Sequence, residues 1–445
     1  MNFLKNLYNN YILSLYTKLT GDNKTIVNRV LKGASWILFG SVLSKILLLI
    51  ASIVVARILG KSTYGELGIL RSTINSFAMI ASMGLGITAT KFIAENLYKD
   101  KSNIGGVIAF TIRMSIVFSI VISFLIILFS GTLSHIIEAP HLRFELIICA
   151  FVLFFIALNG AQLGILAGFE KFDSIAKGAL IGALFGVLLQ IIGAYLIGIQ
   201  GVLLGLGTNY LIMFLYYRFQ IKKITNSLNI KVKFFGFIKF KDIFIKISLP
   251  AALGGLLVSP VFWLCNTIVV QQPNGFDEMA VLDASMQWQQ IILFVPTTLS
   301  QLLLPILSSF SNDPESFKKS FNFNLVLNIS IALIILFVVI LFSKNILQLY
   351  GKSFSDGTLM LILLSAATIP MICSGLIGKL LIAKEKVWVS FSFNLIWGVL
   401  ILLLTYIFLV VLKLGVIGYA YAFCISYVFH FLMNFSYYKL KFNDL

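Results

Sequence analysis

Residues 41–60, SVLSKILLLIASIVVARILG, are apolar enough to cross a bilayer, yet Lys45 stands near the middle and Arg57 near the end. A crossing takes about 20 apolar residues, and a charge at the centre of one costs about 2.5–3.5 kcal/mol. The stretch therefore reads as a transmembrane helix whose lysine has a task.

The rest of the chain agrees with that reading. Its 445 residues are 59% hydrophobic and only 11% charged, where soluble domains carry roughly 25% charged residues. The expected class is an all-α integral membrane protein. Apolar runs predict twelve spans, the first at 33–58 and the last at 414–437, with GIQG alone separating the fifth from the sixth. They group into two six-helix lobes, 33–220 and 246–437, joined by a basic linker at 221–245. A segment at 1–32 precedes them, its Leu4, Leu7, Tyr8, Tyr11, Leu15 and Leu19 spaced for an interfacial amphipathic helix, and a tail at 438–445 follows. The opening lacks the pattern of a cleaved signal peptide, so none is expected. Cys149, Cys265, Cys373 and Cys424 each lie in an apolar segment and read as core residues.

Charge sets the orientation. Of 34 Lys and Arg residues, 24 fall in segments that share a side with the N-terminus and 6 in the opposite loops. The positive-inside rule then puts both termini in the cytosol. This placement accounts for the +17 formal charge without nucleic acid. The linker's lysines, interleaved with Phe, suit an anionic leaflet.

The two halves look duplicated. Gly40, Ser44, Ile53, Val54 and Val55 recur 215 positions later as Gly255, Ser259, Ile268, Val269 and Val270, and Glu170-Lys171 recurs as Glu385-Lys386. With an even number of spans per half, both cross in the same sense, as in parallel-repeat transporters.

Five cations mark the first half: Lys45, Arg57, Arg71, Lys91 and Arg113. Lys45 shares a polar stripe with Ser41 and Ser52, and Arg71 shares a face with Asn75, Ser82 and Gly86. Lys379 in the second half is near enough to an interface to snorkel, and Arg57 and Lys91 have the same option. Asp283 is the one acid clearly inside a span and is a candidate coupling or pairing partner. The cation surplus points to a cavity for an anionic cargo, because Arg forks onto phosphate and Lys meets it as a point charge. Pro260, Pro296, Pro305 and Pro370 lie in second-half spans and are candidate hinges.

One local motif carries a resemblance. ARILGKSTYG, with Arg57, Leu59, Gly60, Tyr64 and Gly65, resembles the Wzx-type O-antigen and polysaccharide flippases of the multidrug/oligosaccharidyl-lipid/polysaccharide exporter superfamily, and GILAGFEKF after the fourth span is similar to them too. The resemblance implies a two-lobed, alternating-access flippase of the bacterial inner membrane. Its cargo would be an undecaprenyl-pyrophosphate-linked oligosaccharide for lipopolysaccharide or capsule, in a cationic cavity for which Lys45, Arg71 and Arg113 are the candidates here, with Lys91 and Arg57 added from the charge pattern. It implies no cofactor, with H+ or Na+ as candidate coupling ions. A polysaccharide polymerase and chain-length machinery are candidate partners.

Three rivals stand against it. A drug or cation antiporter of the same fold would want interior acids in helices one and seven, which are missing. A major-facilitator carrier would carry glycine in the loop that here reads KFIAENLYKDKSN. A membrane polymerase or glycosyltransferase would need a large outer loop or metal-binding acids, and SHIIEAPH, with His135, Glu138 and His141, reads as a surface loop.

Overall fold

The computed structural model describes residues 24–97, 103–233, 257–300, 314–383 and 386–442. Among them every regular element is helical. The first half comprises α1 (Lys24–Leu59), α2 (Lys61–Ser82), α3 (Leu85–Asn96), α4 (Ile104–Leu128), α5 (Ser130–Ile136), α6 (Arg143–Gly168) and α7 (Phe172–Ser227). The second comprises α8 (Val258–Val270), α9 (Gly275–Ser300), α10 (Pro314–Leu341), α11 (Ser343–Tyr350), α12 (Thr358–Ala366), α13 (Thr368–Ala383), α14 (Val387–Tyr406) and α15 (Val416–Phe442).

Eight helices among the described residues are long and apolar enough to cross a membrane, or nine if α2 and α3, bent by 45° at Met83-Gly84, make one span. Two features bring this to the twelve expected crossings. The 56-residue α7 doubles back at Ile197-Gly198, where Gly198 has φ 64°, so it is two antiparallel spans. Gly193 and Gly201 let those spans touch, since a Cβ on either would collide with the other's backbone. The other two crossings are the short α8 and the polar α9. Phe124, Phe151, Ile334 and Phe337 point outward, as lipid-facing side chains should.

The segment 1–23 and the linker beyond residue 233 lie outside the described residues, and α7 stays helical to Ser227, past the expected start of the linker. Pro305 and Glu385 also lie outside them. Pro296 is the proline within a helix interior. Pro260 sits in the first turn of α8, where a missing N–H costs little. Pro370 follows the break at Ala367 and sits in the first turn of α13, where a missing N–H again costs little.

The halves meet through α2, which lies along both α8 and α9. Against α8, Asn266 Nδ2 donates to Ser72 Oγ at 2.8 Å, Trp263 Nε1 to Thr73 Oγ1 at 2.9 Å, and Ser76 Oγ to the Ser259 carbonyl at 2.8 Å. Against α9 the approach is backbone to backbone: a Cβ on Gly65 would fall on the Phe276 carbonyl oxygen, and one on Gly68 would stand 3.2 Å from Asp283 Cβ. Gly65 also faces Ala280. Gly65 and Ala280, and Gly68 and Asp283, are each 215 positions apart. Contact between equivalent positions is what a two-fold relation between duplicated halves produces.

This geometry makes a prediction. Gly65→Ala should destabilise the protein by about 1–3 kcal/mol, the range for overpacking a closed contact. Gly160→Ala, whose Cβ meets open space, should stay within about 0.5 kcal/mol of the parent. Thermal unfolding of both variants in detergent micelles checks it.

Candidate functional site

The site grows from the motif at the α1–α2 junction. Gly60, with φ 81°, makes the turn. Arg57, just before it, donates from Nε to the Leu349 carbonyl and from Nη2 to that of Gln348, in the last turn of α11. A cation there suits the negative end of a helix. Tyr64 is fully buried, its ring 6.0 Å from both Tyr350 and Phe354. Arg57, Tyr64 and Gly65 thus clasp the first half to the second at the Gly60 end of the molecule.

Directly inside the clasp lies a polar cluster. Tyr64's hydroxyl is 2.7 Å from Ser52 Oγ and accepts from Gln287 Nε2 at 2.8 Å. Arg71 Nη1 donates to Ser52 Oγ at 3.1 Å and to Asp283 Oδ2 at 3.1 Å. Gln287 Nε2 donates to the same Asp283 oxygen at 2.8 Å. Asp283 is eight residues into α9, about 12 Å along its axis, so the ion pair sits near mid-membrane. Burying opposite charges there is tolerable because each has its partner and further hydrogen bonds.

Beyond this cluster opens a cavity of about 380 Å³. Its wall comes from α1 (Lys45, Ser52), α2 (Arg71, Asn75), α7 (Gln190, Tyr210) and α9 (Asp283, Gln287, Gln290), with Leu48, Leu49, Ile74, Ile156, Leu206 and Ile291 between them. Lys45 Nζ lies 4.5 Å from the centre of the Phe294 ring on the opposite half, a cation–π approach. Buried Gln190 lines the cavity, and its Nε2 has no hydrogen-bond partner among the described residues. The wall thus offers two cations, one acid already paired, and several amides.

Of the sequence candidates, Lys45, Arg71 and Asp283 come together here. Arg57 is drawn to the clasp instead, because α1 has already reached its end. Lys91 lies on the exposed face of α3, where its Nζ is 4.0 Å from Glu95 one turn on. Arg113 is exposed on α4 and is not in the cavity wall. Lys379 is half-buried in α13 and is also outside the wall. The loop histidine His141 sits 2.9 Å from Glu66, and no group of three metal-ligating side chains occurs among the described residues. Sequence reasoning missed Gln287, Gln290 and Gln190. The first two had a signal, since Asp283, Gln287 and Gln290 follow i, i+4, i+7 spacing on one face of α9.

Removing one hydroxyl tests the cluster. Tyr64→Phe keeps the aromatic packing but strips Ser52, Gln287 and Arg71 of a shared partner, and should cost about 1–3 kcal/mol. Lys91→Gln, which loses one exposed pair, should change stability by less than about 0.5 kcal/mol. Unfolding temperatures of the two purified variants distinguish them.

Comparison with known proteins places this geometry. Residues 30–311 match the family model described as "Polysaccharide biosynthesis protein". The chain is 25% identical over 172 residues to the EPS I polysaccharide export inner membrane protein EpsE of Ralstonia nicotianae. That match spans 38% of this chain and 39% of the relative, well short of its length. Among solved structures, a multidrug resistance MATE family transporter of the MOP superfamily, in an inward-facing conformation, superposes with a TM-score of 0.80 at 15% identity, covering 90% of this chain and 95% of that one. A MOP superfamily transporter from Pyrococcus furiosus, described as having a binding pocket of reverse polarity, gives 0.70 at 16% identity over 96% of this chain and 97% of that one. The fold is that of the MOP superfamily.

Proposed function

The chain belongs to the polysaccharide biosynthesis protein family, and from that membership we propose that it is a flippase for a lipid-linked oligosaccharide. It carries the glycan on undecaprenyl diphosphate from the inner to the outer leaflet of the bacterial inner membrane by alternating access. The polymer is an O-antigen, capsule or other exported polysaccharide.

The observation that supports this most is the placement of Lys45 and Arg71 in one cavity between the two halves. Cations in the membrane interior need a compensating partner. Asp283 balances Arg71, which leaves Lys45 with an aromatic ring and room for an anion. A diphosphate brings that anion. The amides of Asn75, Gln190 and Gln290 suit sugar hydroxyls, since each offers both a donor and an acceptor. The cavity holds the headgroup and its adjoining sugar, while the rest of the lipid lies along the apolar helices.

With the N-terminus in the cytosol, the clasped Gly60 end is the outer one. The molecule then waits with its outer seam shut for cargo from inside, in the state that precedes translocation. A drug or cation carrier of the same fold would present a free carboxylate to its cargo, and Asp283 is instead committed to Arg71 and Gln287. Family and fold favour a transporter over a catalyst. Coupling to an H+ or Na+ gradient completes the proposed cycle.

The reading is tested in a strain lacking the gene, complemented with the parent or with Lys45→Gln. Deletion should abolish the surface polymer and accumulate undecaprenyl-linked oligosaccharide in the inner leaflet. Lys45→Gln should reach the membrane at normal levels and restore less than about a tenth of the polymer, the loss of one charge-assisted contact. A polymer that persists in the deletion strain without accumulation would reopen drug export.

A further inference from the structure

Asp283 occupies a position made for an anion. Donors from both halves converge on it: Arg71 from α2 at 3.1 Å and Gln287 from its own helix at 2.8 Å, both to Oδ2. Ser52 and Tyr64 hold those donors from behind. The pair is not sealed in. The Arg71 and Asp283 side chains keep 17% and 15% of their surface exposed, and both line the cavity. A cargo in that cavity reaches the same guanidinium.

Phosphate and carboxylate compete for an arginine fork, and a diphosphate brings more negative charge than one carboxylate. We propose that Asp283 is a resident stand-in for the cargo's phosphate, so that loading exchanges a carboxylate for a phosphate on Arg71 and thereby unties the two halves. The inference rests on the diphosphate cargo proposed above. The exchange is a swap of hydrogen bonds with no covalent step. Gln287 stays in reach of Asp283 after Arg71 lets go, so the displaced carboxylate keeps one donor.

The consequence for the seam follows from connectivity. Arg71 belongs to α2 and Asp283 to α9, the two helices that meet at Gly65 and Phe276. Tyr64 bridges this pair to the clasp, its hydroxyl in the cluster and its ring between Tyr350 and Phe354. Cargo binding is thus felt at the outer closure within one residue. An empty carrier keeps the ion pair and stays shut, which prevents the cavity from cycling unloaded. A ligand shifts such an equilibrium only through unequal affinity for its two states, and the Asp283 exchange supplies that inequality.

The test uses the full-length protein in lipid nanodiscs with two probes, undecaprenyl diphosphate and undecaprenol. Spin labels at Ile58→Cys and Leu349→Cys, both exposed on opposite sides of the clasp, report the distance across the seam. The parent should bind undecaprenyl diphosphate more tightly than undecaprenol, and the label distance should lengthen only with the former. Asp283→Asn should bind undecaprenyl diphosphate about tenfold more tightly, because Arg71 no longer has to be taken from a carboxylate. Its seam should be longer without any lipid.

The outcomes separate. If the parent does not prefer the diphosphate, the flippase reading itself fails, and this inference with it. If the parent prefers it but Asp283→Asn binds equally or more weakly, Asp283 is only a structural partner and the exchange is wrong. Should Asp283→Asn not fold, the parent alone decides. A seam that keeps its length with undecaprenyl diphosphate bound overturns the exchange, and a seam that lengthens upholds it.

Discussion

The contact between α2 and α9 at Gly65 is the constraint on which the rest depends. In a bilayer, apolar surface gains little from leaving lipid for protein, so helices associate through close packing and hydrogen bonds. Gly65 lets one backbone rest on the Phe276 carbonyl of the other half. Only at that separation can Tyr64 lodge against Tyr350 and Phe354, and only then does Arg71 reach Asp283. A bulkier residue at position 65 would push apart the clasp and the polar cluster together.

Polarity is concentrated behind that contact. Ser52, Tyr64, Arg71, Asp283 and Gln287 satisfy one another in the membrane interior, where an unpaired polar group costs far more than in water. Members come from both halves, so the network exists only while the seam is shut. Part of the bonding between the halves, the Arg71–Asp283 pair, thus lies at the wall of the cavity. The same arrangement explains why α9 falls short of the hydropathy of a membrane span: its polar face meets partners and cavity in place of lipid.

The ARILGKSTYG motif gains a physical account. Arg57 caps the last turn of α11, Gly60 makes the turn between crossings, Tyr64 ties the clasp to the polar cluster, and Gly65 permits the approach. What resembled a family signature is the closure of one end of the molecule. None of its residues lines the cavity, which separates Arg57 from Lys45 and Arg71, with which the sequence had grouped it.

The sequence by itself determined that the chain is an all-helical membrane protein and roughly where it crosses, and it displayed a recurrence at 215 positions. Those are local or periodic properties, fixed by the length and apolarity that a bilayer demands of each span. It also singled out Lys45, Arg71 and Asp283, because a charge within an apolar run is conspicuous whatever surrounds it. Tertiary structure alone decided how the charges divide. Arg113 looks as buried in the sequence as Lys45 does and Lys91 only a little less, yet neither lines the cavity, and both are exposed on α4 and α3. Arg71 looked like a free cation until α9 of the other half, 212 residues away, brought its carboxylate. Gln190 was silent because an amide in a membrane helix has no charge to betray it, and Gln287 and Gln290 showed only through their spacing from Asp283. The facing of a helix depends on what packs against it, and no span carries that information within its own residues.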